Sequence, residues 1–586
     1  MTLQTKPMLH SCSSRRLLAT TGIVLQIRYT FGMSLPPLTL PYMLAALLPL
    51  LVVLYLMIGR SWGGSKAGPA GWLTAMVVAV LVFGSGARLL VVAFGRSLLL
   101  ALFVLYIIWM ALLLYHVVNE AGAIQVIGRE LPGLAVDRSA QALLLGWVFG
   151  SFLQGASGFG VPAAVVAPLL FGLGFAANSA VVIALVGHAW AVTFGSLGSS
   201  FFSLMAATGI AGPLLQGPSA ALLGVACLLC GAAVLWETGR RKALRRRWAT
   251  MLVVAVAMAG SQYLLSSAGL WSLAAFGAGL VGLSVMILDL RFGLFDVQAW
   301  GSRLSRTGHA SPAVTDNRQL SREDSFHTAD VLTSDKNSKS TNRRALATAL
   351  VPYALLTIII VLGQIVFSEP LSTVTLNIEF PEVATTFGWR TPAGAGRAIS
   401  IFGHAGALLL YTSVLSFMWF RWRGTFRDNS SYKFWPIVRR TARGSVKSTI
   451  GIITLIAMAV TMQLAGMTQL LAQALSAGTG AAFPFISPFI GALGAFMTGS
   501  NTNSNVVFGQ LQLDTANALS FGVAVILAAQ TAGGAIGSLF APAKVIVGTS
   551  TVEGADDSRV LARAVAYGVV IIAILGIVTL FATHLK

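Results

Sequence analysis

Residues 494–512, GAFMTGSNTNSNVVFGQLQ, set Ser500, Asn501, Thr502, Asn503, Ser504 and Asn505 in a row, with no charge among them and apolar sequence on either side. In a lipid interior every backbone amide and side-chain dipole needs a partner. Six consecutive hydrogen-bonding residues there predict a buried, non-helical segment around a polar ligand. An extramembrane loop is the alternative reading, but such loops usually carry charge.

The surroundings of this stretch are those of a membrane protein. Of 586 residues 56% are hydrophobic and 10% charged, where soluble domains carry roughly a quarter charged residues; the mean hydropathy is +0.80. Apolar runs recur at 38–58, 98–117, 220–236, 251–265, 270–290, 345–367, 399–420, 450–472, 519–540 and 560–582. With the glycine-broken stretches 71–92 and 140–213 they predict an all-α polytopic membrane protein of about 12–14 transmembrane helices at ~20 residues each. Two pseudo-repeats with broken or re-entrant helices complete the expected fold.

A net charge of +20 invites a nucleic-acid reading, yet most of the Lys and Arg lie in short stretches between spans. Arg240, Arg241, Lys242, Arg245, Arg246 and Arg247 form one cluster, and a second runs from Arg421 to Lys447. The positive-inside rule accounts for both and places them in the cytoplasm, with Glu369, Glu379 and Glu382 outside. No nucleic-acid partner is expected; membrane lipid is, and a homo-oligomer is left open. Cys227 and Cys230, one helical turn apart in an apolar span without nearby acids or His, read as a packed helix face rather than a redox or metal site.

The polar, Ser-rich stretch in the middle divides the chain. Residues 1–35 are expected to be a disordered or misassigned tail without signal-peptide character. Residues 36–295 form a first membrane half, 296–345 a polar cytoplasmic linker, and 346–586 a second half. GSFLQGAS at 150–157 aligns on GAFMTGSN at 494–501, and at nearly the same spacing a GSL follows His188 and another follows Gln530. Duplicated halves with breaks at corresponding positions are a common plan for carriers, and would bring 154–160 and 498–505 together.

In the first half, GASGFGVP supplies the break. Gly155, Gly158 and Gly160 allow backbone that a continuous helix forbids, and Pro162 suits a new helical start. The amides at such a start attract anions; close helix packing by small residues is the alternative. Gln154 and Ser157 flank the glycines. The binding candidates are therefore Gln154, Gly155, Ser157, Gly158, Gly160, Ser500, Asn501, Thr502, Asn503 and Asn505. His188, a titratable group in an apolar span, leads the coupling candidates with Thr193, Ser196, Gln530 and Lys544; Lys544 could meet a carboxylate or snorkel to the interface. His404 lies near the outer end of its span. No phosphate loop, paired metal ligands or ordered catalytic triad appears, so neither enzyme nor cofactor nor metal is expected.

Four blocks carry a resemblance. FLQGASGFGVPAAVVAPLLFGLGF at 152–175, HAWAVTFGSLG at 188–198, PFIGALGAFMTGSNTNSNVVFGQLQ at 488–512 and GGAIGSLFAPAKVIVGTSTV at 533–552 resemble the lactate permease family (L-lactate and glycolate permeases). The resemblance implies cation-coupled uptake of lactate, glycolate or a related 2-hydroxy monocarboxylate across a bacterial inner membrane, usually with protons. It also implies kinship with the ion transporter superfamily, in which Ser-Asn-Thr at hairpin tips binds carboxylate and sodium; Ser500, Asn501 and Thr502 match that tripeptide. Many family members resemble EGAAGFG at the first motif, and Gln154 and Ser157 depart from it. Gln cannot take up a proton, so coupling here would use His188, another group, or sodium. The alternatives are a sodium-coupled carrier of another organic anion and a non-transporting carboxylate sensor.

Overall fold

Uninterrupted apolar sequence becomes helix because only a helix satisfies its own backbone hydrogen bonds inside lipid. The computed structural model describes residues 35–584 except 61, 131–134, 136, 159, 295–337 and 425–431. The tail 1–34 and most of the predicted linker lie outside the described residues. Among these residues nine helices are long and apolar enough to cross a membrane, and two shorter apolar helices, Val161–Gly172 and Ala177–Gly187, accompany them. The chain is a multi-pass, predominantly helical membrane protein.

Two of the predicted apolar runs share one of these long helical stretches. The runs at 220–236 and 251–265 belong to one helical stretch, Gly212–Ser267, which leaves helical geometry at Gly239 and Arg240. Its two arms fold back on each other: Gln216 donates to the Ser267 carbonyl at 3.4 Å, and a Cβ on Gly224 would lie 3.2 Å from that of Ala259. The basic cluster sits at this fold. Cys227 and Cys230 are free and buried.

One feature was not expected. Residues 375–400 form a β-ribbon of three nested two-residue antiparallel pairs, from Thr375–Leu376 with Ile399–Ser400 inward to Val383–Ala384 with Arg390–Thr391. The apolar run predicted to begin at 399 therefore starts as strand, and its helix is Ala405–Arg423. Ser85 bridges to Thr385, docking the ribbon at the start of helix Ala87–Glu120. At the far end of that helix Glu120 pairs with Arg440. The basic and ribbon ends are thus opposite, as the charge bias requires.

Both matched sequence blocks fall at the same kind of break. GSFLQGAS closes the arm Gly150–Ala156, after which the chain turns back into Val161–Gly172. GAFMTGSN closes the arm Phe483–Thr498, after which it turns back into Asn501–Ala518. Each GSL in turn marks an interrupted helix, after Ala177–Gly187 in the first half and at the end of Val523–Gly537 in the second. In each half the hairpin lies backbone to backbone on its interrupted helix. A Cβ on Gly187 would meet the Gly146 carbonyl at 2.1 Å, and one on Gly491 the Gln530 carbonyl at 2.0 Å. Nothing larger than glycine permits that approach, the usual device where apolar burial cannot drive helices together.

Candidate functional site

The first hairpin turns where the sequence predicts. Helix ends at Ala156, Ser157 bonds back to the Leu153 carbonyl at 2.8 Å, and Gly158 and Gly160 take φ of +65° and +85° before helix resumes at Val161 with Pro162 in its first turn. A Cβ on Gly158 would lie 1.6 Å from the Ser196 hydroxyl, so glycine is required there for space as well as conformation. Gly155 has a different role: its missing Cβ admits the backbone of Phe276 at 2.4 Å, a packing contact rather than a ligand donor. Gln154 is buried, and its Oε1 has no hydrogen-bond partner.

The second tip corrects the expectation for 500–505. Backbone leaves helical geometry only at Gly499 (φ +71°) and Ser500 (φ −149°), and helix begins at Asn501. Ser500 caps it, its hydroxyl accepting from the Asn503 amide at 3.4 Å. A capped first turn satisfies its backbone through local bonds, so the polar side chains are free to point sideways into the bundle.

They meet three residues, Thr193, Thr531 and Ser200. Asn501 Nδ2 donates to Thr193 Oγ1 at 3.1 Å and to Thr531 Oγ1 at 3.3 Å, and Asn505 Nδ2 donates to Thr531 Oγ1 and to the Ser200 carbonyl, both at 2.9 Å. The hydroxyls of Thr502 and Ser200 lie 3.0 Å apart. Thr193 also donates to the Thr531 carbonyl at 3.1 Å. The result is a neutral, buried seam joining the second tip to both interrupted helices. In it the carbonyl oxygens of Asn501 and Asn505 have no donor among the described residues. Thr531 is central to the seam and escaped sequence reasoning, because a lone hydroxyl residue in a Gly-Ala-rich helix has no distinguishing pattern; Ser200, one of several hydroxyls after His188, was not singled out from its neighbours.

Ser196 lies at the interruption in the first half, where Ser196, Leu197 and Gly198 are all left-handed, with φ of +48°, +58° and +82°. Non-glycine residues there store strain of about 1 kcal/mol each or more. This segment, rather than the second tip itself, lies against Gln154: a Cβ on Gly195 would be 2.8 Å from Gln154 Nε2. The tips come nearest to each other through the short helix Pro542–Thr549. Cβ atoms on Gly499 and Gly160 would lie 3.7 Å from Ala543 and 3.6 Å from Val547, one turn apart on the same helix face.

Lys544 lies between those two contacts in sequence. Its Nζ does not snorkel; it donates to the buried Ser538 hydroxyl at 2.9 Å. His188 caps the end of helix Ala177–Gly187, with Nδ1 2.6 Å from the Ala184 carbonyl. A carbonyl can only accept, so Nδ1 carries the proton and Nε2, buried and without a partner, presents its lone pair. Gln530 is fully engaged, donating to Ser504 Oγ at 3.0 Å and accepting from Gln512 at 2.9 Å, which makes it a support beneath the seam. Among the described residues no cluster of His, Cys, Asp or Glu could hold a metal ion.

Known proteins match this chain over nearly its whole length. It is 28% identical to the L-lactate permease of Bacillus subtilis (strain 168), covering 92% of this chain and 96% of that protein. It is 25% identical to the glycolate permease GlcA of Escherichia coli (strain K12), covering 92% and 95%. Among solved structures, the Alcanivorax borkumensis YdaH transporter aligns with 15% identity and a TM-score of 0.42, covering 84% of this chain and 87% of that one. The family profile described as L-lactate permease matches residues 42–586, so the chain belongs to the L-lactate permease family.

Proposed function

We propose that this protein is a secondary carrier that imports lactate, glycolate or a related 2-hydroxy monocarboxylate by symport with a proton. One observation carries the reading: a neutral seam of amides and hydroxyls, with unpaired acceptors at Asn501 and Asn505, joins two broken helices, while Gln154 adds an unpaired oxygen near the first break and Lys544 is held to Ser538 at the end of the second broken helix. The hydroxyl of a 2-hydroxy acid is a donor that suits those acceptors. Its carboxylate suits Lys544 and the helix starts at Val161 and Asn501, whose dipoles favour an anion. Buried acceptors left without donors cost about 1–3 kcal/mol each, which a bound ligand would recover.

Gln154 cannot carry a proton; His188, with Nε2 bare, can. The same unpaired oxygens also favour a second reading, in which sodium is the coupling ion, since a hard cation takes oxygen ligands. Proteoliposomes separate these readings. Lactate uptake driven by an inward proton gradient without sodium supports the first, and uptake that needs sodium and ignores the proton gradient supports the second. Counterflow of labelled lactate tests transport itself, because a carboxylate sensor binds without exchange.

A further inference from the structure

Arginine is rare on the outer side of bacterial membrane proteins, yet this chain places Arg96 against the ribbon and Arg397 within it. Arg397 lies flat on Phe103, its Cζ 4.3 Å from the ring centroid. Its Nε is buried without a hydrogen-bond partner, and among the described residues it forms no ion pair. The ribbon acid Glu382 is engaged with Arg390 at 3.5 Å. Arg96 is tied down differently, donating to the Pro392 carbonyl at 3.1 Å.

On the same Phe103 ring stands His404, edge-on at 4.6 Å and stacked at 3° on Tyr106. It is 6% exposed. Its Nδ1 accepts from the Gly406 amide at 3.2 Å in capping helix Ala405–Arg423, so the ring is neutral there and its proton is on Nε2. That N–H donor is buried and has no partner. A guanidinium without an anion and a buried donor without an acceptor therefore share one aromatic support.

A carboxylate has two oxygens to offer two such donors, and the guanidinium would supply the charge-assisted bond. The support also leads inward: Phe103 packs on Phe202 at 6.3 Å, on the helix whose Ser200 meets Thr502. We propose that Arg397 and His404 form an outer capture site for the carboxylate of the transported monocarboxylate anion, occupied before the anion reaches the seam. The identity of the anion rests on the transport reading above; the site itself rests on the two unpartnered donors.

Two measurements test it. In proteoliposome uptake, Arg397→Gln is expected to raise the KM for lactate about tenfold while leaving Vmax within about twofold, with Arg397→Lys intermediate. His404→Asn, which can still cap the helix but lacks the Nε2 donor, is also expected to raise KM. An unchanged KM in Arg397→Gln overturns the site. Acetate is also titrated into purified Asn501→Leu protein, where the seam is disabled, and into the same protein carrying Arg397→Gln or Arg397→Lys. Weak saturable binding lost in the Gln variant and retained in the Lys variant supports the outer site even if wild-type protein fails to transport lactate. Absent binding, or binding indifferent to Arg397→Gln, overturns it even if transport stands.

Discussion

Asn501, at the tip of the second hairpin, donates to Thr193 of the first interrupted helix at 3.1 Å, across 308 positions of sequence. That bond ties the two halves together at the seam. Asn501→Leu keeps the approximate volume and removes every polar contact. Uptake is expected to fall to background while expression and a monodisperse elution profile persist; undiminished lactate uptake in this variant would sink the assignment of the seam.

Thr531 accepts from both Asn501 and Asn505 through one hydroxyl. Thr531→Val removes that acceptor at nearly constant volume and leaves two buried amides short of a partner, at about 1–3 kcal/mol. Uptake is expected to drop roughly tenfold or more, whereas Thr579→Val, at a buried hydroxyl that bonds only its own helix, should behave as wild type. Equal loss in both variants would mean that general packing, not the seam, sets activity.

Gly158 combines φ +65° with a 1.6 Å clash between an added Cβ and Ser196 Oγ. Gly158→Ala is therefore expected to abolish both uptake and the thermal transition. Ser196→Ala, which removes the hydroxyl alone, should retain a folded protein. A folded, active Gly158→Ala would show that the turn adapts.

Gln154 turns its Nε2 toward Gly195 and Gly158 and leaves its buried Oε1 without a partner. Gln154→Glu places a titratable group there, and a proton-coupled carrier should acquire a new limb in its pH–uptake profile that the wild type lacks. The comparison is made in right-side-out vesicles between pH 5 and 8, with His188→Gln in parallel; superimposable profiles for Gln154→Glu and wild type would exclude this position from coupling.

Asp137 caps the first hairpin arm and accepts from Arg247 at 2.5 Å. Burial alone would raise its carboxyl pKa, but the Arg247 bond, the Ala140 amide and the charges of Arg247 and Arg246 outweigh burial and hold it below its ordinary value. A depressed native pKa contributes stability above the unfolded pKa of about 3.9, lost as pH falls through the lower native value. Asp137→Asn is thus expected to cost about 1.5–3 kcal/mol at pH 7. Thermal unfolding should show the gap between wild type and variant closing below about pH 4.

Much of this was legible from residue order. Gly158, Gly160 and Pro162 announce a break because few other residues tolerate that backbone, and the basic clusters announce sidedness. The row 500–505 announced polarity correctly but not conformation, since a serine cap converts the same residues into a helix start. Thr531 matters through partners 26 to 338 positions away and Ser200 through partners more than 300 away, which no local pattern encodes. The β-ribbon was hidden for a related reason: its strands are two residues long, too short for an alternating signal, and are held by pairing across the ribbon.

Every bond between the second tip and the interrupted helices is between uncharged groups. Exchanging such bonds for others of the same kind, or for water, changes free energy by little, whereas pulling apart a buried ion pair costs several kcal/mol. Charged ties such as Asp137 with Arg247 and Glu237 with Arg563 at 2.8 Å involve no residue of the seam. The seam accordingly joins its blocks without an electrostatic latch.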